Sequence, residues 1–159
     1  MEREIVEAYG NHLRVRICGI CIKENKILLI KHKNIGRAGY LWSPPGGGLK
    51  FGETVEACLK REFLEETHLS VKIERFLFVH EFVEPPLHAI ELFFEVSIVE
   101  GKIGLGKDPE MQENKQILEE IAFLDYANLT QEPKECLHKV LQKISSINEI
   151  LEIRSFESI

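Results

Sequence analysis

The segment from residue 53 to 67, "ETVEACLKREFLEET", constrains the fold most, because it has a helical pattern and yet carries charge on its apolar side. On a helix with about 100° per residue, three carboxylates lie within an arc of about 100°, and three apolar side chains fall on the same side. The carboxylates belong to Glu62, Glu65 and Glu66, and the apolar side chains to Val55, Cys58 and Leu59. The carboxylates therefore continue the apolar stripe and face the body of the protein.

This placement predicts a bound cation. A solvated acidic face lies opposite the apolar stripe of a helix, whereas these carboxylates extend that stripe. Half-buried like charges repel each other and are costly unless they are paired, and Arg61 at the edge of the arc relieves only part of the repulsion. Several hard carboxylate oxygens suit Mg²⁺ or Mn²⁺ better than zinc. The alternative is a solvated helix end with a salt bridge to Arg61.

The composition is that of a globular protein with a core. The chain has 159 residues, of which 44% are hydrophobic and 29% are charged. A net charge of −6 argues against a nucleic-acid partner, since no cluster of lysine or arginine offsets the acidic excess. The first residues lack a signal-peptide pattern, and no apolar run reaches the roughly 20 residues of a membrane span. We therefore expect a cytoplasmic protein that does not contact a membrane.

The four cysteines are predicted to be buried thiols. Cys18 and Cys21 form a CxxC, "CGIC", but no second pair of ligands at similar spacing completes a zinc site. The motif lies in the run "RVRICGICI", which has the pattern of a strand, and residues three apart on a strand point to opposite faces. Neither a zinc site nor a redox site is therefore favoured.

The rest of the chain predicts strands arranged mostly around one sheet, with residues 1–159 forming a single α+β domain. The strand-like segments are 14–22, 27–32, 71–82, 89–99 and 119–124. Two long loops, 34–52 and 100–117, interrupt them, and the proline and glycine of the first loop exclude a helix or a central strand. Pro85 and Pro86 predict a turn. Helical spacing returns at residues 132–147.

The stretch from Gly47 to Leu69, "GGLKFGETVEACLKREFLEETHL", resembles the Nudix box, G-x5-E-x7-R-E-U-x-E-E-x-G-U, where U is apolar. The matching residues are Gly47, Glu53, Arg61, Glu62, Phe63, Glu65, Glu66 and Leu69. The upstream "LWSPPGGG" also resembles the lead-in of that family. One position departs, because His68 stands where the family has glycine. Histidine tolerates positive φ, so we expect His68 to end the helix in the left-handed conformation.

The resemblance implies a Nudix-type α/β/α sandwich, with a mixed sheet between helices, and a metal-dependent hydrolase that cleaves the phosphoanhydride of a nucleoside diphosphate linked to another group. By resemblance, Mg²⁺ or Mn²⁺ is bound by the carboxylates of Glu62, Glu65 and Glu66 and by the carbonyl of Gly47, and one glutamate acts as general base. Arg61 orients the glutamates, and Glu53 supports the loop.

Further candidates lie around the box. Gly46, Gly47 and Gly48 are expected to let the backbone approach the substrate. Arg37 is a candidate phosphate ligand, with a solvated arginine as the alternative. Glu120 is a candidate additional metal ligand or base, with a charged loop end as the alternative.

Three residues outside the box have two open interpretations each. His80 and His88 flank the proline turn and are either surface histidines or substrate contacts. Trp42 either packs the loop or stacks on a base.

The substrate is expected to be a small nucleotide, such as a nucleoside triphosphate or an oxidised nucleotide, or ADP-ribose or another nucleotide sugar. The box contacts only the diphosphate, so specificity is assigned to three loops, Asn34–Tyr40, Val83–His88 and Gly101–Gln116. The alternatives are a catalytically inactive ligand sensor, which His68 alone favours, and an isomerase acting on a diphosphate ester. A homodimer is possible, because dimers are frequent in the family.

Overall fold

Eight strands form one mixed sheet in the computed structural model, which describes residues 3–36, 38–109, 111–154 and 156–157. The strands are β1 (Leu13–Lys23), β2 (Lys26–Lys33), β3 (Tyr40–Ser43), β4 (Gly46–Gly48), β5 (Leu69–Glu84), β6 (Leu87–Gly101), β7 (Leu118–Leu124) and β8 (Phe156–Glu157). The α-helices are α1 (Arg3–Tyr9), α2 (Val55–Thr67) and α3 (Tyr126–Gln131). Short 3₁₀ helices span Glu113–Lys115, Lys134–Cys136, Lys139–Lys143 and Ile147–Glu152. Within these ranges, no helix has both the length and the apolar character needed to cross a bilayer.

β1 lies inside the sheet and pairs with three other strands. The strand order is β3-β2-β1-β6-β5-β8, and in addition β4 pairs with β1 and β7 pairs with β2. β1 runs parallel to β6, from the pair Leu13 and His88 to the pair Cys21 and Val96. Its other edge pairs antiparallel with β4 and then with β2. The predicted hairpin of β1 and β2 is present, and both residues of its turn, Glu24 and Asn25, have positive φ.

Two of the apolar clusters among the described residues lie on opposite faces of the sheet. Cys58, Leu59 and Phe63 of α2 pack on one face, where Cys21 lies. Cys18 faces the other cluster, together with α3 and the 3₁₀ segments near the C-terminus. All four cysteines are free and buried, as predicted. Gly19 between the two thiols is required by packing, because a β-carbon there would lie 2.4 Å from the Phe63 ring.

The structure corrects the prediction for the first long loop, 34–52. The loop contains β3 and β4, because Pro44 and Pro45 lie between the two strands rather than inside either of them. The glycine strand β4 hydrogen bonds to β1, and the carbonyl of Pro45 accepts from the amide of Gly19.

The structure also corrects the prediction for residues 132–147. They form 3₁₀ segments instead of one α-helix, because Leu137 is extended and forms a bridge with Trp42. The amide of His138 donates to the Trp42 carbonyl, which takes this amide out of any helical ladder. α1, α3 and β8 have no counterpart among the elements predicted from the sequence.

α2 ends at Thr67 as predicted and begins at Val55, two residues after the start of the predicted helical segment. The side chain of Thr54 accepts from the amide of Ala57 and caps the N-terminus. His68 has φ 60° and ψ 18°, which is the left-handed conformation, and its amide donates to the Leu64 carbonyl. The predicted conformation of His68 is therefore confirmed.

We expect His68→Gly to change the free energy of unfolding by no more than about 1 kcal/mol, because relieved strain and added chain entropy nearly cancel. Urea denaturation measures this change. Catalytic efficiency, kcat/KM, should stay within a few-fold of the parent on any substrate that the parent turns over. A tenfold loss of activity at unchanged stability would assign His68 a direct role in the site.

Candidate active site

The carboxylates of α2 lie in one cleft with the glycine strand. Glu62 and Glu66 are 8% and 6% exposed, and Glu65 is half-buried. All three line a cleft together with Arg61 and β4. The structure therefore brings together the carboxylates, the arginine and the three glycines of the predicted site.

Arg61 cross-links this cluster. Its Nη1 donates to Glu62 Oε1 at 2.7 Å and to Glu65 Oε2 at 3.1 Å. Its Nε and Nη2 donate to both carboxylate oxygens of Glu53, at 2.7 and 3.0 Å, and Nη2 also donates to the Gly48 carbonyl. These hydrogen bonds from Arg61 lower the pKa of Glu53 to about 2. One guanidinium thus fixes the loop before α2, two glutamates of the helix and β4, which is the geometry that an orienting role requires.

The glycines of β4 make room for these carboxylates. A β-carbon on Gly47 would lie 2.3 Å from the Glu62 carboxylate, so any other residue would displace that side chain. Glu66 Oε2 accepts a hydrogen bond from the Gly46 amide at 2.9 Å. The glycines were predicted to let the backbone approach the substrate, whereas in the structure it is α2 that approaches them.

The two buried carboxylates lack sufficient compensating charge. Burial, and then the charge of Glu62, raises the pKa of Glu66 to about 8, against the opposing effects of the Gly46 amide and Arg16. Burial also raises the pKa of Glu62, although Arg61 opposes the shift. Clustered hard oxygens whose negative charge is this costly fit a divalent cation such as Mg²⁺ or Mn²⁺.

A buried network continues from Gly46 into the protein. Arg16 donates to the Gly46 carbonyl through Nη2 and to Glu91 Oε1 through Nη1, both at 3.0 Å. The other oxygen of Glu91 lies 3.0 Å from His80 Nδ1 and 2.9 Å from His138 Nε2. His138 also lines the cleft. The network therefore connects the Gly46 peptide, which donates to Glu66, with His138 at another position on the cleft.

His80, Glu91 and His138 also have the composition of a metal site, since their ligand atoms lie within 4.8 Å of one another. However, His138 Nδ1 accepts from the Val140 amide, which places the ring proton on Nε2, facing Glu91. Burial favours the neutral form of Glu91, but contacts from His138 and His80 and the charge of Arg16 hold its pKa below the ordinary value. We therefore interpret the group as a polar cluster around the Glu91 carboxylate, whose counter-charge is the Arg16 guanidinium.

Three further polar residues at the cleft were missed by the sequence analysis: Tyr9, Arg14 and Asp108. The Tyr9 hydroxyl donates to Asp108 Oδ2 at 2.5 Å. The guanidinium carbon of Arg14 lies 4.3 Å from the centre of the Tyr9 ring. Arg14 and Arg16 alternate on β1 and therefore share a face, which is a signal that the sequence contained. Nothing near Asp108 in the sequence indicates its partner.

The second long loop closes the C-terminal end of α2. The amides of Gly104, Gly106 and Lys107 donate to the carbonyls of Thr67, Glu66 and Glu65, at 3.1, 2.9 and 3.2 Å. A helix leaves its last carbonyls without partners, and here the loop backbone supplies them. The backbone that carries two candidate metal ligands is therefore bonded to a candidate specificity loop.

Two predicted site residues are not part of this cluster. Glu120 lies within β7, is exposed and is not among the described residues that line the cleft. The physical reason is a register shift in the pairing of β2 with β7, which leaves both Glu119 and Glu120 facing solvent, with Glu119 3.2 Å from Lys31. Arg37 lies outside the described residues, so its predicted role stays a prediction.

Three other side chains have clear environments. His80 is fully buried at Glu91, which corrects the interpretation as a surface residue, whereas His88 is half-buried and lies 3.3 Å from Glu81. Trp42 is buried in the core, in agreement with a packing role.

Comparisons with known proteins identify the family. A family model for the NUDIX domain matches residues 10–140. The chain belongs to the Nudix family. It is 38% identical over 120 residues to an ADP-ribose pyrophosphatase of Methanocaldococcus jannaschii, with 74% of this chain and 65% of that protein aligned. It is 32% identical over 85 residues to phosphatase NudJ of Escherichia coli K12, with 49% of this chain and 54% of that protein aligned.

The chain thus spans between about half and two thirds of the length of these curated Nudix relatives. A solved NUDIX hydrolase from Nitrosomonas europaea superposes with a TM-score of 0.65 at 19% identity, covering 92% of this chain and 78% of that one. This likeness shows the fold and confirms the predicted α/β/α sandwich with a mixed sheet. α2 with its carboxylates is therefore the helix of a Nudix box.

We expect Glu66→Gln to stabilise the metal-free protein increasingly as the pH rises from 5 to 8. The folded state binds a proton at Glu66 with a pKa near 8, whereas the unfolded chain releases it near the ordinary value of 4.5. The parent therefore loses stability as the pH rises through this window, and glutamine removes the loss, which is on the order of 3–4 kcal/mol.

Urea denaturation in excess chelator at pH 5 and pH 8 measures this difference. Glu56→Gln is the matched control, because Glu56 lies on the exposed side of the same helix and pairs with Lys60. Equal pH slopes for the parent and Glu66→Gln would contradict the assigned burial effect.

Proposed function

We propose that this Nudix protein is a metal-dependent hydrolase that cleaves the phosphoanhydride of a nucleoside diphosphate linked to another group, with residues 1–159 acting as one domain. The proposal rests on the meeting of Glu62, Glu65 and Glu66 with Arg61 at the glycine strand β4. The negative charges of the two buried carboxylates, Glu62 and Glu66, are only partly balanced by neighbouring positive groups. A structural helix gains nothing from buried carboxylates that repel each other, whereas a cation site requires them.

The residues have distinct roles in this proposal. Glu62, Glu65, Glu66 and the Gly47 carbonyl hold the divalent cation. When bound, that cation neutralises phosphate charge and lowers the pKa of a coordinated water. One of the glutamates accepts the proton of the attacking water, because a carboxylate within hydrogen-bond reach suffices for that transfer. Arg61 keeps Glu62 and Glu65 in place.

A cationic side chain at the cleft is a candidate for contact with the substrate phosphates. Arg14 lines the cleft, and its Nη2 lies 3.1 Å from the point where a β-carbon of Gly48 would be. The Arg14 guanidinium is therefore next to β4. β4 is the strand that faces the carboxylates of α2. We assign to Arg14 the binding of phosphate oxygens, a role for which a planar guanidinium is suited.

ADP-ribose is the first substrate candidate, because the Methanocaldococcus jannaschii relative is named an ADP-ribose pyrophosphatase. Other nucleotide sugars, nucleoside triphosphates and oxidised nucleotides are the remaining candidates. A panel of these compounds, incubated with Mg²⁺ and with Mn²⁺ and analysed by chromatography, identifies both the substrate and the bond that is cleaved.

The alternative of a catalytically inactive sensor rested on His68. In the structure this residue has a conformational role at the end of α2. Metal-dependent turnover of any compound in the panel would exclude the sensor.

We expect turnover to require a divalent cation. Excess EDTA should abolish product formation, and added Mg²⁺ or Mn²⁺ should restore it. The reason is that water attacks a polyanionic diphosphate slowly when its charge is not neutralised. Product is quantified by chromatography in a chelator titration. Undiminished turnover in excess chelator would refute the proposed mechanism.

We expect Glu62→Gln, Glu65→Gln and Glu66→Gln each to lower kcat by on the order of 100-fold or more, because each removes a metal ligand or the base. Mn²⁺ affinity, measured by electron paramagnetic resonance, should fall in parallel, while circular dichroism stays that of the parent. Glu56→Gln serves again as the control and should retain both properties. Near-normal turnover in all three variants would place the metal site elsewhere.

A further inference from the structure

β4 consists of three consecutive glycines, which have more backbone freedom than any other residues. Its two outer carbonyls accept hydrogen bonds from two different guanidinium groups. Arg61 Nη2 of α2 donates to the Gly48 carbonyl at 3.3 Å. Arg16 Nη2 of β1 donates to the Gly46 carbonyl at 3.0 Å. Gly47, whose carbonyl is a proposed ligand of the cation, lies between these two contacts, so the backbone at the site is restrained at both ends of β4.

Strand register places Arg16 between β4 and β6. Its Cα is paired with that of Gly48 on one edge of β1 and with that of Glu91 on the other edge. While Arg16 Nη2 is bonded to the Gly46 carbonyl, its Nη1 donates to Glu91 Oε1, also at 3.0 Å. A planar guanidinium can make two such bonds at once, whereas the ammonium group of lysine is a compact point charge. The side chain of Arg16 therefore ties β4 to β6.

Glu91 is a fixed anchor for this arginine. Its side chain is 1% exposed. Its second carboxylate oxygen lies 3.0 Å from His80 Nδ1 and 2.9 Å from His138 Nε2. A buried carboxylate is costly without a counter-charge, and the guanidinium of Arg16 supplies that charge. The position of Arg16 is therefore set from inside the protein, because moving it away would leave the charge of Glu91 uncompensated.

The peptide group whose carbonyl Arg16 binds lies between two groups of the proposed metal site. It joins Gly46 to Gly47. On one side of it, the Gly46 amide donates to Glu66 Oε2 at 2.9 Å. On the other side is the Gly47 carbonyl, the proposed backbone ligand. Because each peptide is planar and turns as a unit, a rotation of this one would shift both groups.

We propose that Arg16 is a positioning residue of the metal site. It is anchored on Glu91. From there it holds the peptide between Gly46 and Gly47, so that the Gly46 amide meets Glu66 and the Gly47 carbonyl is available to the cation. This proposal rests on the proposed function, because it assumes that the carboxylates of α2 bind a divalent cation. Arg16 lies outside the segment that resembles the Nudix box, and the resemblance assigns it no role.

The first test is Arg16→Lys, which keeps a positive charge beside Glu91 but cannot span Glu91 and the Gly46 carbonyl with one planar group. We expect the dissociation constant for Mn²⁺, measured by electron paramagnetic resonance without substrate, to rise on the order of tenfold, as is typical when a group that orients metal ligands is lost. The number of Mn²⁺ ions bound per chain should stay that of the parent, whereas a partly unfolded variant would bind fewer. In turnover, kcat should be low at limiting Mn²⁺ and return toward the parent value at saturating Mn²⁺.

Arg75→Lys is the matched control. Arg75 of β5 also joins a carboxylate of β6 to a main-chain carbonyl, since its Nε donates to Glu95 Oε2 at 2.6 Å and its Nη2 to the Leu151 carbonyl at 3.2 Å. Arg75 is not among the described residues that line the cleft. The Mn²⁺ affinity and kcat of this variant should equal those of the parent.

Glu91→Gln is the second variant, and its result decides the test if Arg16→Lys does not fold. Glutamine keeps the shape of the anchor and one acceptor oxygen but removes the charge that holds Arg16. The dissociation constant for Mn²⁺ should again rise, at an unchanged number of bound ions.

The outcomes separate the two proposals. If the parent binds no Mn²⁺, the proposed metal site fails, and the role of Arg16 fails with it. If the parent binds Mn²⁺ and the variants bind it with the parent's dissociation constant, the role of Arg16 alone is refuted. A higher KM for the nucleotide at parent-like Mn²⁺ affinity would also refute that role, because Arg16 would then act on the substrate directly.

Discussion

The packing of α2 against the glycine strand β4 is the contact on which the rest of the site depends. It buries two carboxylates at a junction of helix and sheet, where each is costly without compensation. Gly47 makes the approach possible, and the Gly46 amide and Arg61 supply the compensating hydrogen bonds. The negative charge that these hydrogen bonds leave uncompensated is what the proposed cation would neutralise.

The buried network behind β4 extends this arrangement into the sheet. Arg16 bonds to the Gly46 carbonyl and to Glu91, so the peptide that donates to Glu66 is held from its other side. Glu91 lies on β6, which is parallel to β1 and directly paired with it at Arg16. The register between β1 and β6 thus sets the position of Arg16. Through Arg16 it also sets the position of the Gly46 peptide, which donates to the candidate metal ligand Glu66.

Much of the site was predictable because its residues are close in sequence. Helical periodicity alone placed Glu62 and Glu66 on the buried side of α2, and His68 ended the helix as its tolerance of positive φ indicates. The roles of Glu91 and Asp108 were not predictable, because their partners are 75 and 99 residues away and depend on strand pairing and loop path. The exposed position of Glu120 in β7 was not predictable either, because a register shift in strand pairing leaves no pattern in the sequence.

The backbone bonds between the second long loop and α2 have a consequence for how such a protein diverges. Main-chain amides of Gly104, Gly106 and Lys107 make these bonds, while the neighbouring Ile103 and Leu105 expose their side chains. A main-chain hydrogen bond does not depend on the identity of the neighbouring side chains. After gene duplication, a copy can therefore replace the exposed side chains of Ile103 and Leu105 and keep the backbone bonds that hold the end of α2 with its carboxylates.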